Sequence, residues 1–261
     1  MEKMRVIGLL GHAGVGKDLA GKMLCEIGQG VTLAFADKLK SIACDLFGLT
    51  REDMYTEEGK EKFVGEASTI RGGKEVKIGR LPCLICPTCK SVEVEKFDQD
   101  HTELARCKLC GAIGDRAVFQ SYWTPRTILQ FLGTNACRRI DKDVWVRYAM
   151  KEARRLLQSV SVGDQTYVRD FIAITDTRFK SEATAIWSVG GEVWRIKRPS
   201  LDGQVVGLKG HASEVEQDSI RDDEVQAVIV NDGTLDELRG KLVPQLERFM
   251  KKTAAYTTPA L

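Results

Sequence analysis

The chain has 261 residues, room for one large domain or for a core carrying a small insert, and its 39 Lys and Arg against 37 Asp and Glu leave a formal charge of only +2. That balance excludes a global basic field able to coat nucleic acid or an anionic membrane. Apolar runs such as Val6–Leu10 and Phe171–Ile174 fall far short of the roughly 18–20 residues that cross a bilayer, so no membrane partner is expected.

In chain order, the apolar stretch 4–10 predicts a buried first strand. Gly11, His12 and Lys17 interrupt it too early for a secretion signal, so a cytoplasmic protein is expected. Leu19, Met23, Leu24 and Ile27 fall on one helical face and predict a helix over 16–27. A short apolar run at Val31–Phe35 precedes a helical stretch over 38–47. The charged region 50–80, with Gly72-Gly73, reads as irregular or mobile. A cysteine segment fills 81–115. Thr124-Pro125 then predicts a helix start, with Ile128, Leu129 and Leu132 on its apolar side, and a second helix covers 143–158.

Val168–Thr175, a helix over 179–189 stopped by Gly190-Gly191, and a strand Glu192–Lys197 make a βαβ unit. Residues 198–223 read as a polar flap or lid. A strand at Val225–Val230, a helix over 234–252 and a flexible tail at 253–261 complete the chain. The alternation predicts an α/β sandwich of three layers around a mostly parallel sheet. The expected division is a core at 1–65, an insert at 66–120, and helices, remaining core and lid over 121–252.

Gly11-His12-Ala13-Gly14-Val15-Gly16-Lys17-Asp18 fits the phosphate-loop pattern G-x-x-x-x-G-K-S/T except at its last position, and lies between a strand and a helix as that motif requires. Gly11, Gly14 and Gly16 let backbone N–H groups turn inward around phosphate oxygens, the helix N-terminus adds its dipole, and Lys17 supplies a charge to the β- and γ-phosphates. Asp18 stands where a hydroxyl usually binds magnesium. It serves the metal directly or through water, faces the acceptor, or is a first-turn Asp favoured by the helix dipole. Asp176, at the carboxyl end of a predicted strand, is the second candidate on the magnesium side, with turn capping as its alternative.

Together with the phosphate loop, four stretches resemble the deoxynucleoside monophosphate kinases of bacteriophages: Ala34-Phe35-Ala36-Asp37-Lys38-Leu39-Lys40, Thr124-Pro125-Arg126 through Gly133-Thr134, Thr175-Asp176-Thr177-Arg178-Phe179-Lys180, and His211-Ala212-Ser213-Glu214. The resemblance covers most of the chain outside 66–120. It implies a P-loop kinase fold, ATP as donor and a deoxynucleoside 5′-monophosphate as acceptor, and it includes the Asp after the loop lysine.

Transfer between two anionic groups needs magnesium and several cationic side chains, and no general base, because the acceptor oxygen is already ionised. Arg126 and Gln130, one turn apart, are placed to clamp the acceptor phosphate and read the base; a solvent-facing helix surface is the alternative. Arg178 is a candidate for the transferring phosphoryl, with an ion pair to Glu182 as rival. Asp37 and Lys40 line the expected acceptor pocket, and Arg138 and Arg139 either serve it or cover a helix end. Arg195 and Arg198 flank the lid and bring charge to ATP, or are solvated. His211 has no chemistry demanded of it.

Eight cysteines include five between Cys83 and Cys110. Such crowding in a long chain favours metal in a reducing compartment over a disulfide scaffold. Cys86-Pro-Thr-Cys89 and Cys107-Lys-Leu-Cys110 form two Cys-x-x-Cys knuckles that fit a structural zinc ribbon, and a register using Cys83 stays open. Cys25, Cys44 and Cys137 read as core residues. Two other functions stay open: another small-molecule P-loop kinase, such as a dephospho-coenzyme A kinase, and a nucleotide-gated nucleic-acid-binding protein. The near-zero charge argues against nucleic acid as a partner; a homodimer stays open.

Overall fold

A computed structural model of the chain describes residues 3–62, 64, 67–71, 74–78, 82–88, 93–99, 102–115, 120–158, 160–162, 165–167, 169–201 and 217–255. The chain divides into two compact units, one of residues 1–35 with 143–261 and one of residues 36–142. The insert expected at 66–120 falls inside the second.

The first unit begins with β1 (Val6–Leu10), buried at every position, then α1 (Lys17–Ile27) and β2 (Val31–Leu33). The second unit opens with α2 (Asp37–Phe47), followed by α3 (Arg51–Tyr55) and α4 (Glu57–Glu61). These last two lie where the sequence reads as irregular. They carry no apolar period, and end-capping fixes them instead: Thr50 Oγ1 accepts from the Asp53 N–H at 3.2 Å, and Thr56 Oγ1 from the Gly59 N–H at 2.9 Å. Next, β3 (Ala67–Arg71) and β4 (Lys74–Ile78) pair antiparallel, again within the stretch expected to be irregular. Strand β5 (Pro82–Leu84) leads to an antiparallel sheet of β6 (Val94–Gln99), β7 (Thr102–Cys107) and β8 (Ile113–Asp115), and β9 (Gln120–Tyr122) returns to pair with β5. Helix α5 (Pro125–Gln130) has the expected start, with Thr124 and Thr127 in a capping box and Pro125 in the first turn. It runs directly into a π-helical segment, Phe131–Cys137, and a short turn, α6 (Arg138–Ile140).

Back in the first unit come α7 (Val144–Leu157), a hairpin of β10 (Val160–Val162) and β11 (Gln165–Tyr167), β12 (Ile172–Thr177), α8 (Lys180–Ser188), β13 (Glu192–Lys197), β14 (Ala227–Val230) and α9 (Leu235–Lys252). Strand β12 ends two residues beyond the expected Thr175. Its parallel ladder with β1 continues to Leu10 opposite Thr177, so backbone pairing and not apolar content sets its end.

Among the described residues, five strands form a parallel sheet in the order β2-β12-β1-β13-β14. The period of two along β1 sends Val6 and Leu10 to one face, where Val146, Ala149 and Ala153 of α7 and Ala183 and Ile186 of α8 cover them. Ile7 and Leu9 point to the other face, under Ala20, Met23 and Leu24 of α1 and Leu238, Leu242, Leu246 and Phe249 of α9. The result is the three-layer sandwich expected from the alternating elements. At the amino end of β13 the carboxylate of Glu192, wholly buried, accepts from Arg248 at 2.7 and 3.1 Å, Lys252 at 2.9 Å and the Trp194 indole at 2.9 Å. Burial pushes this carboxyl up, but those donors outweigh it and hold it below the usual carboxylate range. Thr253, expected in a frayed tail, is buried, with its hydroxyl donating to the Phe249 carbonyl at 2.8 Å; residues 256–261 lie outside the described residues.

Among the described residues, the second unit has less apolar interior. One cluster joins Ala43, Met54, Val64 and Ile128 with Trp123, Leu129 and Leu132; another joins Cys86, Ala105 and Cys107 with Leu84, Val94 and Ala112. Among the described residues, no helix is long and apolar enough to cross a membrane.

Candidate active site

In a parallel sheet every strand delivers its carboxyl end to the same edge, where ligands of open α/β folds bind. That edge carries the glycine loop after β1, Asp176 and Arg178 at the end of β12, Arg195 and Arg198 on and after β13, and Asn231 after β14. The loop parts from β1 where α1 crosses toward β2 and α8 crosses from β12 to β13, the point at which the strand order reverses.

Gly11, Gly14 and Gly16 have φ of 148, 80 and 96°, in the region that strains any residue with a side chain. At Gly16 a Cβ would also lie 2.5 Å from Asn231 Nδ2. That amide donates to the Val15 carbonyl at 2.8 Å, so Asn231 buttresses the loop from behind. Lys17 is buried in the first turn of α1, its ammonium donating to the Gly11 carbonyl at 2.7 Å and the His12 carbonyl at 2.8 Å. The charge is thus held over the loop's own mouth. Asp18, next on α1, is exposed.

The His12 ring is held on both nitrogens. Gln217 Nε2 lies 2.8 Å from Nδ1, and Asp218 Oδ1 lies 3.0 Å from Nε2. An amide nitrogen only donates, so Nδ1 accepts and Nε2–H faces the carboxylate. Arg195 is also interior, 7% exposed, with its guanidinium donating to the Ile220 carbonyl and Asp222 Oδ1 2.9 Å from its Nε. Lys197 pairs with the same Asp222. Arg195 and His12 therefore stitch 217–222, the return of the expected lid, to β13 and to the phosphate loop. Residues 202–216, His211 among them, lie outside the described residues.

Asp176 sits within β12 and not after it, and its Oδ1 accepts from the Phe35 N–H at 2.7 Å. Glu182, the rival partner for Arg178, is buried and accepts from the backbone N–H groups of Arg178 at 2.8 Å and Phe179 at 3.0 Å, closing the N-terminus of α8. Asn231, Gln217 and Asp218 have no signal in the sequence: an Asn after a strand reads as a turn residue, and the other two lie in a polar segment without period.

The expected acceptor residues lie in the second unit. Asp37 and Lys40 are in the first turns of α2, with the Lys40 ammonium 4.0 Å above the Tyr55 ring. Arg126 and Gln130 are one turn apart on α5, and Arg126 donates to a carboxylate oxygen of Glu61 on α4. Arg138 opens α6.

Also in this unit, the sulfurs of Cys86, Cys107 and Cys110 lie within 4.8 Å of one another, with Cys86 Sγ 3.6 Å from Cys110 Sγ. Zn–S bonds of about 2.3 Å at tetrahedral angles separate sulfurs by about 3.8 Å, whereas a disulfide needs about 2.05 Å. The donor set fits zinc. Cys89 lies outside the described residues. Cys25, Cys44 and Cys137 are half-buried; burial pushes the Cys25 thiol up to about 11.

Residues 5–242 match the family model described as deoxynucleotide monophosphate kinase. The chain belongs to the deoxynucleotide monophosphate kinase family. A protein of Acanthamoeba polyphaga mimivirus named "Putative deoxynucleotide monophosphate kinase" is 25% identical over 249 residues, covering 92% of this chain and 95% of that one. As a member of this family of phosphotransferases, the chain phosphorylates deoxynucleoside monophosphates, with a P-loop sandwich as its scaffold.

Proposed function

We propose that the chain transfers the γ-phosphoryl of ATP to a deoxynucleoside 5′-monophosphate in the cytoplasm, supplying deoxynucleoside diphosphates as DNA precursors. The observation that carries this reading is the buried Lys17 held over a three-glycine loop at the carboxyl edge of the sheet, in a chain that matches the kinase family across that loop. Gly11, Gly14, Gly16 and Lys17 hold the donor phosphates. Lys17 exchanges the Gly11 and His12 carbonyls for phosphate oxygens, trading two neutral acceptors for charged ones.

Asp18 and Asp176 are the groups that would hold magnesium, which neutralises charge on the phosphates when bound. Arg178 neutralises the transferring group. Arg198 meets the donor directly, and Arg195 serves it by fixing 217–222. On the acceptor side Arg126 releases Glu61 to take the monophosphate, Gln130 reads the base, and Asp37, Lys40 and Arg138 complete the pocket. Cys86, Cys89, Cys107 and Cys110 would hold a structural zinc, which leaves no open position for catalytic water. A four-thiolate zinc site would call for the reducing conditions of a cytoplasm.

Coupled ATP-consumption assays against a panel of deoxynucleoside and ribonucleoside monophosphates, dephospho-coenzyme A and single-stranded DNA test the reading. Turnover is expected with deoxynucleoside monophosphates. Arg126→Ala is expected to raise the acceptor KM at least about ten-fold, the worth of a lost charge-assisted contact, with the ATP KM unchanged. Turnover confined to dephospho-coenzyme A, or ATP hydrolysis dependent on DNA, would overturn it.

A further inference from the structure

The π-helical segment Phe131–Cys137 follows α5 without a break and precedes Arg138, so it stands between the two ends of the expected acceptor surface. Seven residues are many for a π-helix, whose wide turns are rare and occur at functional sites. Such a segment needs outside contacts to hold it. Two contacts tie its middle to other parts of the unit. Gly133 is buried against Leu39 of α2, close enough that a Cβ there would lie 2.7 Å from Leu39 Cδ2. Two residues on, Asn135 Nδ2 donates to Glu93 Oε1 at 2.6 Å.

Glu93 is not an isolated surface carboxylate. Its carbonyl accepts from the Lys108 N–H at 2.8 Å, inside the knuckle Cys107-Lys-Leu-Cys110. That knuckle is closed by Gly111 N–H donating to the Cys107 carbonyl at 3.0 Å and Cys107 N–H donating to the Ala112 carbonyl at 2.8 Å. Glu95 adds ion pairs to Lys108 at 3.4 Å and Arg106 at 3.8 Å. Two hydrogen bonds, Lys108 to Glu93 and Asn135 to Glu93, therefore lead from the clustered sulfurs to the middle of the π-helix.

We infer that the cysteine ribbon positions the acceptor-binding helix, with Glu93 and Asn135 as the brace between them. This rests on the acceptor role given above to α5. Glu93 and Asn135 are positioning residues: neither touches substrate, and each acts by fixing the backbone that carries Arg126, Gln130 and Arg138. The metal-held knuckle fixes Lys108, Lys108 fixes Glu93, and Glu93 fixes the π-helix. Losing the metal then slackens the acceptor surface and leaves the phosphate loop untouched, because residues 11–18 rest on β1 and Asn231.

The test is a double-perturbation cycle on the full-length protein: wild type and Asn135→Ala, each with and without a zinc chelator, followed by zinc content, acceptor and ATP KM, and amide hydrogen exchange over 131–137. Asn135→Ala is expected to keep its zinc, raise the acceptor KM roughly two- to five-fold, the worth of an exposed charge-assisted hydrogen bond, and leave the ATP KM alone. Chelation is expected to speed exchange over 131–137 and raise the acceptor KM in wild type, and to add much less in Asn135→Ala. Glu93→Gln, which keeps an acceptor oxygen, is expected to stay near wild type, and Glu93→Ala to match Asn135→Ala. If Arg126→Ala raises the acceptor KM while Asn135→Ala does not, the brace is wrong and the acceptor reading stands. If chelation acts equally on both proteins, the ribbon works by another route and the brace is again overturned. If neither Arg126→Ala nor Asn135→Ala changes the acceptor KM, the acceptor reading falls and the brace with it.

Discussion

The two units of this kinase are held together by different physics. The first buries both faces of a five-stranded parallel sheet, so its glycine loop rests on close-packed Ile, Leu, Val and Phe side chains drawn from both ends of the chain. Among its described residues the second has small apolar clusters, one of them built around Cys86 and Cys107, together with helix caps, short antiparallel pairs and three clustered sulfurs. On the proposed reading, the donor site would rest on the close-packed sheet and the acceptor residues on a segment held by polar contacts and, when bound, a metal.

The largest expected effect breaks the comparison at its weaker side. Cys107→Ser should release the metal and destabilise 82–115 by several kcal/mol, because metal binding supplies folding energy that so small a cluster lacks. Metal analysis and limited proteolysis would read it, with about one zinc per chain expected in the wild type. ATP binding by the variant should persist; a simultaneous loss would show that the units do not stand separately.

Lys17→Ala should lower turnover about 10³-fold with the melting temperature little changed, since the ammonium is used on charge that develops during transfer. Near-wild-type turnover would remove the phosphate-loop assignment. Glu192 sharpens the picture of the first unit. Glu192→Ala should cost about 2–3 kcal/mol, less than a fully enclosed ion pair, because Arg248 and Lys252 remain 42% and 51% exposed. Its carboxyl titrates lower folded than unfolded, so its contribution is present above about pH 4.5 and is lost as the pH falls through the folded value. Melting curves at pH 7 and pH 3 should converge for wild type and variant; a constant gap would sink the argument. The smallest effect is expected from Asn231→Ala, about 1 kcal/mol and a few-fold rise in the ATP KM, read by calorimetry and initial rates.

The glycine loop and its strand–helix setting were readable in the sequence because glycine spacing, an apolar strand and a helical period coincide within residues 4–27. The capping Thr124 and the βαβ unit around α8 were readable for the same reason: a local signal meets a local structure. What escaped depends on partners distant in sequence. Asn231 meets Val15, Gln217 meets His12, and Asp176 ties down Phe35, each across more than a hundred residues. Helices α3 and α4 escaped because they have polar caps and no apolar stripe, and the π-helix because its sequence starts as an ordinary α-helix.

The strand pairing of the sheet also bears on how the chain is made. β1 pairs Val6 with Ile172 and Ile7 with Glu192, so the phosphate loop has no sheet to rest on until those distant strands have been synthesised. Residues 36–142, by contrast, are contiguous and leave the ribosome as one block. Long-range parallel pairing is slow, and domains complete themselves during synthesis as their residues emerge. During translation residues 36–142 can therefore complete their local pairs before β1 meets β12 and β13, whose residues are made only after position 170.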